Sequence, residues 1–153
     1  MQLQELHEKP GHLIRRAQQI AVALFMEECA ELDLTPVQYA ALVAVREHPG
    51  IDATRLSSLI AFDRSTLGNV LERLEARKLI QRYASPEDKR VKLLRITPSG
   101  AALITRAKAC VLRAQERILE PLKPRERETL IALLEQLVEL NNEASRVPQR
   151  AAE

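Results

Sequence analysis

The sequence predicts a mainly α-helical chain that carries one small β-hairpin. Three observations predict it. The composition is rich in Ala, Leu, Glu and Arg, with only 4 Gly and 3% aromatic residues, which favours helix. Apolar residues recur at three-to-four spacing towards both ends of the chain. Just after Lys78 that period gives way, for one short stretch, to strand-like runs around a polar turn. The length of 153 residues suits one compact domain, or a small domain with an oligomerisation layer. Hydrophobic residues make up 46% and charged residues 29%, a globular and not a disordered balance.

A first helix is expected from about Gly11 to Leu32, with Leu13, Ala17, Ile20, Leu24 and Phe25 on one stripe. Thr35-Pro36-Val37-Gln38 then reads as a helix start. Thr35 can cap, Pro36 fits the first helical position and Gln38 can complete a capping box. That helix should stop at His48-Pro49-Gly50. Asp52 caps a short helix to about Ile60, and Asp63 caps another from Arg64 to about Lys78, with Leu67, Val70, Leu71 and Leu74 inward. Two helices joined by about three residues, the second one basic, form a helix-turn-helix. Leu79–Tyr83 and Val91–Ile96 read as strands around the polar turn 84–90, a hairpin that makes the unit winged. Thr97-Pro98-Ser99-Gly100 opens a helix to about Glu120, and a last helix begins near Pro124. The resulting division is 1–33 and 98–145 as dimerisation helices, 34–97 as a winged helix-turn-helix, and 146–153 as a disordered tail. The terminal helices have apolar stripes but flank a unit that is already complete. A second copy of the same helices is the simplest cover for them, so a homodimer is expected.

The net charge of +2 is unevenly spread. Arg55 to Arg95 holds ten Lys and Arg against five Asp and Glu, a surplus of five, and the remainder of the chain has a deficit of three. A basic centre between mildly acidic ends points to a polyanion. The helix from Arg64 would present Arg64, Ser65, Thr66, Asn69 and Arg73 on one face. Arg and Asn can pair bidentately with base edges, and short hydroxyls reach phosphates. The hairpin tip carries Asp88, Lys89 and Arg90. Arginine suits a narrow minor groove, and Asp88 would orient Arg90 or a helix arginine such as Arg73 or Arg77. Double-stranded DNA is therefore the expected partner. The scarcity of aromatics argues against a stacking platform for RNA or single strands.

On these residues the chain resembles the MarR family of bacterial regulators. The matching segments are Leu34-Thr35-Pro36-Val37-Gln38-Tyr39, Asp63-Arg64-Ser65-Thr66, Leu71-Glu72-Arg73-Leu74-Glu75, Asp88-Lys89-Arg90 and Leu94-Arg95-Ile96-Thr97-Pro98-Ser99-Gly100. They span about residues 11–145 in the family's order. The resemblance implies a triangular dimer with a winged helix at each lower corner. It also implies binding to a pseudo-palindromic operator, usually as a repressor, and release by a small molecule. It places Ser65, Thr66, Asn69 and Arg73 on the recognition helix and Asp88 and Arg90 on the wing. Lys123 departs from the pattern, because a Ser or Thr cap is usual before the last helix.

Phenolic or aromatic acids are common effectors of such proteins. His12, Arg15 and Arg16, one turn apart, would pair with a carboxylate, with Tyr39 and His48 reaching the same cleft beside Leu24 and Phe25. The expected effector is a hydroxylated benzoate, cinnamate or nicotinate type acid, or its thioester. Two alternatives stand beside this reading: a redox sensor through Cys29 and Cys110, and a non-specific architectural DNA-binding protein. The two cysteines, far apart and without metal spacing, read first as free buried thiols. Glu27 and Glu28 beside Cys29 would raise its pKa, against a sensor role. No catalytic pair, metal cluster, P-loop or dinucleotide glycine pattern is present, so neither enzyme chemistry nor a cofactor is expected. No apolar run approaches the roughly 18–20 residues of a membrane span and no signal peptide is visible, which makes the cytoplasm the expected location.

Overall fold

In the computed structural model, residues 2–151 are described. The helices are α1 (Leu3–His7), α2 (Pro10–Glu28), α3 (Pro36–Glu47), α4 (Ala53–Leu59), α5 (Arg64–Ala76), α6 (Pro98–Leu119) and α7 (Pro124–Leu140). The strands are β1 (Ile51–Asp52), β2 (Ile80–Ala84) and β3 (Lys92–Ile96), in the antiparallel order β1-β3-β2. The helical chain with a winged helix-turn-helix at its centre is thus as the sequence predicts.

Local chemistry sets most boundaries. The Thr35 hydroxyl accepts from the Gln38 backbone N–H at 3.2 Å, and the Gln38 side chain accepts from the Thr35 N–H at 3.0 Å. Two orphan donors at the start of α3 are thereby satisfied. Asp52 accepts from the N–H groups of Thr54 and Arg55, both at 2.9 Å, and so opens α4. At α7, where Lys123 offers no acceptor, Glu126 reaches back to accept the Lys123 N–H at 2.7 Å. This back-capping compensates for the missing Ser or Thr. The first helix is shorter than expected: α2 ends at Glu28 and a 3-10 turn covers Ala30–Leu32. The third strand, β1, was not foreseen. Two residues are too few to show a period, and only pairing of Ile51 with Leu94 and Asp52 with Leu93 makes them a strand.

The core lies where α3, α4, α5 and the sheet meet, around Leu42, Val45, Leu56, Leu67, Leu74, Ile80 and Leu94, and continues under α6 at Leu103, Ile104 and Ala107. The arms differ. No residue of α7 is buried, and α2 buries only Phe25. Leu133, Val138 and Leu140 are 58%, 67% and 76% exposed, far too much apolar surface for one chain to leave in water.

Cys29 and Cys110 are joined in a disulfide, with their Cα atoms 5.5 Å apart. This corrects the expectation of two free thiols. Cys29 ends α2 on the side of Phe25, and Cys110 sits on the buried stripe of α6 with Ala107 and Ala114. The packing of α2 on α6 makes the cysteines neighbours, which a separation of 81 residues conceals.

Of the segment 146–153 expected to be a disordered tail, residues 146–151 instead fold back onto the turn between α4 and α5, and 152–153 lie outside the described residues. The Arg150 N–H donates to the Ser58 carbonyl at 3.0 Å and the Gln149 amide to the Leu59 carbonyl at 3.1 Å. Composition suggested fraying, but these specific hydrogen bonds anchor the segment.

Gly100 marks the tightest junction. A Cβ there would lie 2.2 Å from the Leu79 carbonyl oxygen and 2.7 Å from Ile96. Backbone, not a flexible side chain, is in the way. Gly100→Ala is expected to destabilise the fold by at least about 3 kcal/mol, read as a lowered midpoint in thermal unfolding followed by circular dichroism.

Candidate nucleic-acid interface

The interface begins with the turn between α4 and α5. The Ser57 hydroxyl donates to the Phe62 carbonyl at 2.6 Å, and the Phe62 N–H returns to the Ser57 carbonyl at 3.0 Å. Between them Ala61 adopts φ 50°, a left-handed conformation that costs an alanine roughly 1 kcal/mol. Asp63 then caps α5. Its carboxylate accepts from the Thr66 N–H and the Thr66 hydroxyl, each at 3.2 Å, and from the Ser65 hydroxyl. These bonds, with Ser65 foremost, hold the Asp63 pKa below its ordinary value.

Leu67, Leu71 and Leu74 bury one side of α5, which turns Arg64, Ser65, Thr66, Asn69 and Arg73 outward. The five recognition-helix residues predicted from the sequence therefore share an exposed surface. The Ser65 and Thr66 hydroxyls already donate to Asp63, so they must swing away before they can donate to a phosphate. Arg64 leans towards α4, with Nε 3.4 Å from the Thr54 hydroxyl.

The wing is the β2–β3 ribbon, paired from Ile80 with Ile96 to Ala84 with Lys92. At its tip Asp88 holds Arg90 through three bonds. Its carboxylate accepts from the Arg90 backbone N–H at 3.0 Å, from Nε at 3.1 Å and from Nη2 at 3.0 Å. Of the roles open to Asp88, orientation of Arg90 is the one realised. Arg77 instead donates to the carbonyls of Asp33 and Leu32 at 2.6 and 3.0 Å, tying the end of α5 to the segment between α2 and α3. The Arg90 side chain remains 92% exposed despite the clasp. Its hydrogen bonds push the Asp88 pKa down and the Arg90 pKa up. A depressed carboxyl pKa means that the clasp is intact above the ordinary value and lost only as pH falls through the lower one, so it persists at neutrality. Lys89 stands exposed at the same tip.

Between α5 and the wing lies a concavity of about 460 Å³. Arg64, Arg82, Arg90 and Lys92 line it against a single carboxylate, Asp52, which is engaged in capping α4. Such a surplus of cations in a hollow suits a phosphate backbone. Arg82 was not singled out from the sequence. Its Nε lies 3.1 Å from a Glu75 carboxylate oxygen, which ties the wing to α5. The signal was available: Arg82 stands two residues from the buried Ile80, so it faces inward on the strand.

The effector residues are not gathered in one place. His12 and Arg15 lie together, with His12 Nδ1 3.4 Å from Arg15 Nη2 and the His12 ring 4.8 Å from that of His7. Partial burial, then His7, Arg15 and Arg16, lowers the His12 pKa. Arg15 also donates to Gln19 at 3.3 Å, and Arg16 is exposed. Tyr39 packs near Phe25, ring centroids 6.3 Å apart, and His48 caps the end of α3. At a rise of 1.5 Å per residue, Phe25 lies about 15 Å along α2 from Arg15, so within one chain the cluster of cations does not reach Tyr39. Among the described residues no group of His, Cys, Asp and Glu could hold a metal ion, and no helix is long and apolar enough to cross a membrane.

Comparison with known proteins agrees with this geometry. A profile described as the MarR family matches residues 34–92. The HTH-type transcriptional repressor NicR of Pseudomonas putida is 31% identical over 92% of this chain and 89% of its own length. Among solved structures, the transcriptional repressor CouR bound to a 23-mer DNA duplex has a TM-score of 0.80 at 31% identity, covering 90% of this chain and 98% of that one. BpsR of Bordetella bronchiseptica, described by a mechanism for regulation of its DNA binding by 6-hydroxynicotinic acid, has a TM-score of 0.79 at 33% identity and covers 86% of this chain and 94% of its own. With its exposed recognition helix, its clasped wing arginine and relatives of this kind over nearly its full length, the chain belongs to the MarR family of winged-helix transcriptional regulators.

Proposed function

We infer that this protein is a repressor that binds a pseudo-palindromic operator as a homodimer and leaves it when an anionic aromatic acid binds. The observation that carries the DNA-binding part is the exposed face of α5 beside a wing whose Arg90 is held outward by Asp88. In this reading α5 enters the major groove with Asn69 and Arg73 towards base edges, and Arg90 enters the adjacent minor groove. Lys89 and Lys92 add attraction to phosphate without sequence preference.

The arms support a dimer. Ile131, Leu133, Leu134, Leu137, Val138 and Leu140 of α7 and Leu13, Ile14, Ile20 and Val22 of α2 stand exposed. Each Leu or Val fully buried against a second copy contributes about 1.5–3 kcal/mol. Two recognition helices about 34 Å apart would then meet successive major grooves. The effector part rests on the cluster of His12, Arg15 and Arg16, and on the ligand named for BpsR. Because Tyr39 packs by Phe25, about 15 Å along α2 from Arg15, the acid would sit where α2 of one copy meets α3 of the other.

Fluorescence anisotropy with the protein's own upstream DNA and a scrambled duplex, at two salt concentrations and with a panel of aromatic acids, tests the reading. The expected result is one dimer per specific duplex, released by one acid, with Arg15→Ala weakening that acid's effect and sparing DNA affinity. Equal, salt-labile binding to both duplexes would leave only an architectural role.

A double-mutant comparison tests the wing. Arg90→Ala is expected to weaken operator binding by about tenfold, and Asp88→Ala by less. If Asp88 acts through Arg90, the double variant should be no weaker than Arg90→Ala alone.

The disulfide favours a second reading, redox control. A dithiol reductant supplies the two electrons and two protons that convert the bond to two thiols, and is itself oxidised to a disulfide. Opening a crosslink over 81 residues should cost about 2–4 kcal/mol of stability. If operator affinity also falls on reduction, the bond regulates. A lowered unfolding temperature with unchanged affinity would make it purely structural.

A further inference from the structure

Beyond the arms and the interface, one segment has no role so far: the chain after α7. It leaves Leu140, turns through Asn142–Ala144 and runs back to the turn between α4 and α5. It is braced within itself. The Asn142 amide donates to the Gln149 carbonyl at 3.1 Å, and its oxygen accepts from the Gln149 N–H at 2.8 Å. One side chain thus satisfies both backbone groups of Gln149. Glu143 and Arg150 form a two-point ion pair, with Nη2 to Oε2 at 2.9 Å, and the Ser145 hydroxyl closes a small turn with Val147.

The braced loop docks on defined atoms. The carbonyls of Ser58 and Leu59 end α4, where local donors grow scarce: Ser58 accepts from the Ala61 N–H only at 3.4 Å. The strap supplies donors to both, from the Arg150 N–H and the Gln149 amide. Arg146 Nε lies 3.7 Å from Asp63, the carboxylate that caps α5. Between these contacts sits Ala61 in its left-handed conformation. The turn that sets the angle of the recognition helix is thus strained, and it is braced from outside by the C-terminal segment.

The segment also has a second end. It continues directly from α7, which buries no residue against its own chain. A displacement of α7 therefore has a covalent and hydrogen-bonded route to α5. We propose that residues 142–151 form a strap that positions the recognition helix, with Gln149, Arg150 and Arg146 as positioning residues that couple the α7 arm to the helix-turn-helix. The proposal rests on the DNA-binding reading above for its consequence, but its hold on the turn can be read without DNA.

Two variants test it. Asn142→Ala unbraces the loop without changing charge and alters no residue of α5 or the wing, and deletion of 145–153 removes every strap residue that contacts the turn. Each is compared with the parent by light scattering, by anisotropy on operator and scrambled duplexes, and by hydrogen exchange. Both variants should remain dimeric, and amides of residues 58–66 should exchange faster. Operator affinity should fall by about threefold to tenfold relative to affinity for the scrambled duplex, a comparison that cancels the loss of Arg146 and Arg150 from the deletion. Exchange at 58–66 and operator preference both at the parent's level in the deletion would overturn the proposal. Should the deletion fail to fold, Asn142→Ala decides by the same readings, with faster exchange at 147–150 showing that its strap is loose. Should the parent itself show no operator preference, the DNA reading fails, and exchange at 58–66 alone decides whether the strap holds the turn.

Discussion

Four elements depend on the hydroxyl of Thr97. It donates towards the carbonyls of Lys78 and Leu79 at 2.7 and 3.0 Å, and accepts the Gly100 N–H at 3.0 Å. The Thr97 N–H adds a bond to the Leu79 carbonyl at 3.1 Å. Here α5 has just ended, β2 begins, β3 ends and α6 starts. Lys78 turns the chain with φ 57°, and only a glycine at 100 lets α6 pass its carbonyl neighbour. The recognition helix, the wing and the long helix beneath the arms thus take their relative positions from one threonine and the space left by one missing Cβ. A small shift there would move α5 and the wing together relative to α6.

The arms meet this unit along the seam of α2 and α6, which is fastened in more than one way. Beside the disulfide, Glu28 accepts from Arg113 at 2.9 Å and from Arg117 at 2.8 Å, and Glu27 from Arg117 at 3.2 Å. The Glu28 carboxylate is only 17% exposed, and the bonds from Arg113 and then Arg117 lower its pKa. Screening by water is weaker for such a pair than for one at the open surface. The end of α2 is therefore fixed on the body, while its start, with His12 and Arg15, projects free of the core. That division fits a helix that is anchored at one end and reaches for a second copy with the other.

How far the fold was legible follows from what each feature depends on. Capping and period are local, so α3, α5, α6 and the wing could be read from Thr35, Asp63, Thr97 and the alternation after Lys78. The exposed set on α5 was legible for the same reason, since helical geometry alone separates Asn69 and Arg73 from Leu67 and Leu74. The Cys29–Cys110 bond, the β1 pairing and the strap on Ser58 and Leu59 join residues far apart in sequence, and no local period announces them. Arg82 is intermediate. Its face was legible, but its partner Glu75 lies on another element. The effector residues depend on more than one chain: helix length keeps His12 and Tyr39 apart within a single copy, so only a second copy can bring them to one cleft.

Three aspartates stand on the candidate nucleic-acid surface, where a carboxylate at first sight opposes a polyanion. Asp52, Asp63 and Asp88 each resolve the conflict in the same way. Asp52 is engaged by two backbone N–H groups, Asp63 by a backbone N–H and two hydroxyls, and Asp88 by the guanidinium and N–H of Arg90. Each of these carboxylates is held by donors of its own, and Arg64, Lys89 and Lys92 add positive charge beside the two arginines that are paired with carboxylates, Arg82 with Glu75 and Arg90 with Asp88. The acids also do what a cation cannot. They fix the first turns of α4 and α5 and hold the wing arginine, so that its conformational entropy is already reduced in the free protein. Removing one of these aspartates would make the surface more positive and yet a poorer fit to a groove. The face is organised by geometry first and by net charge second.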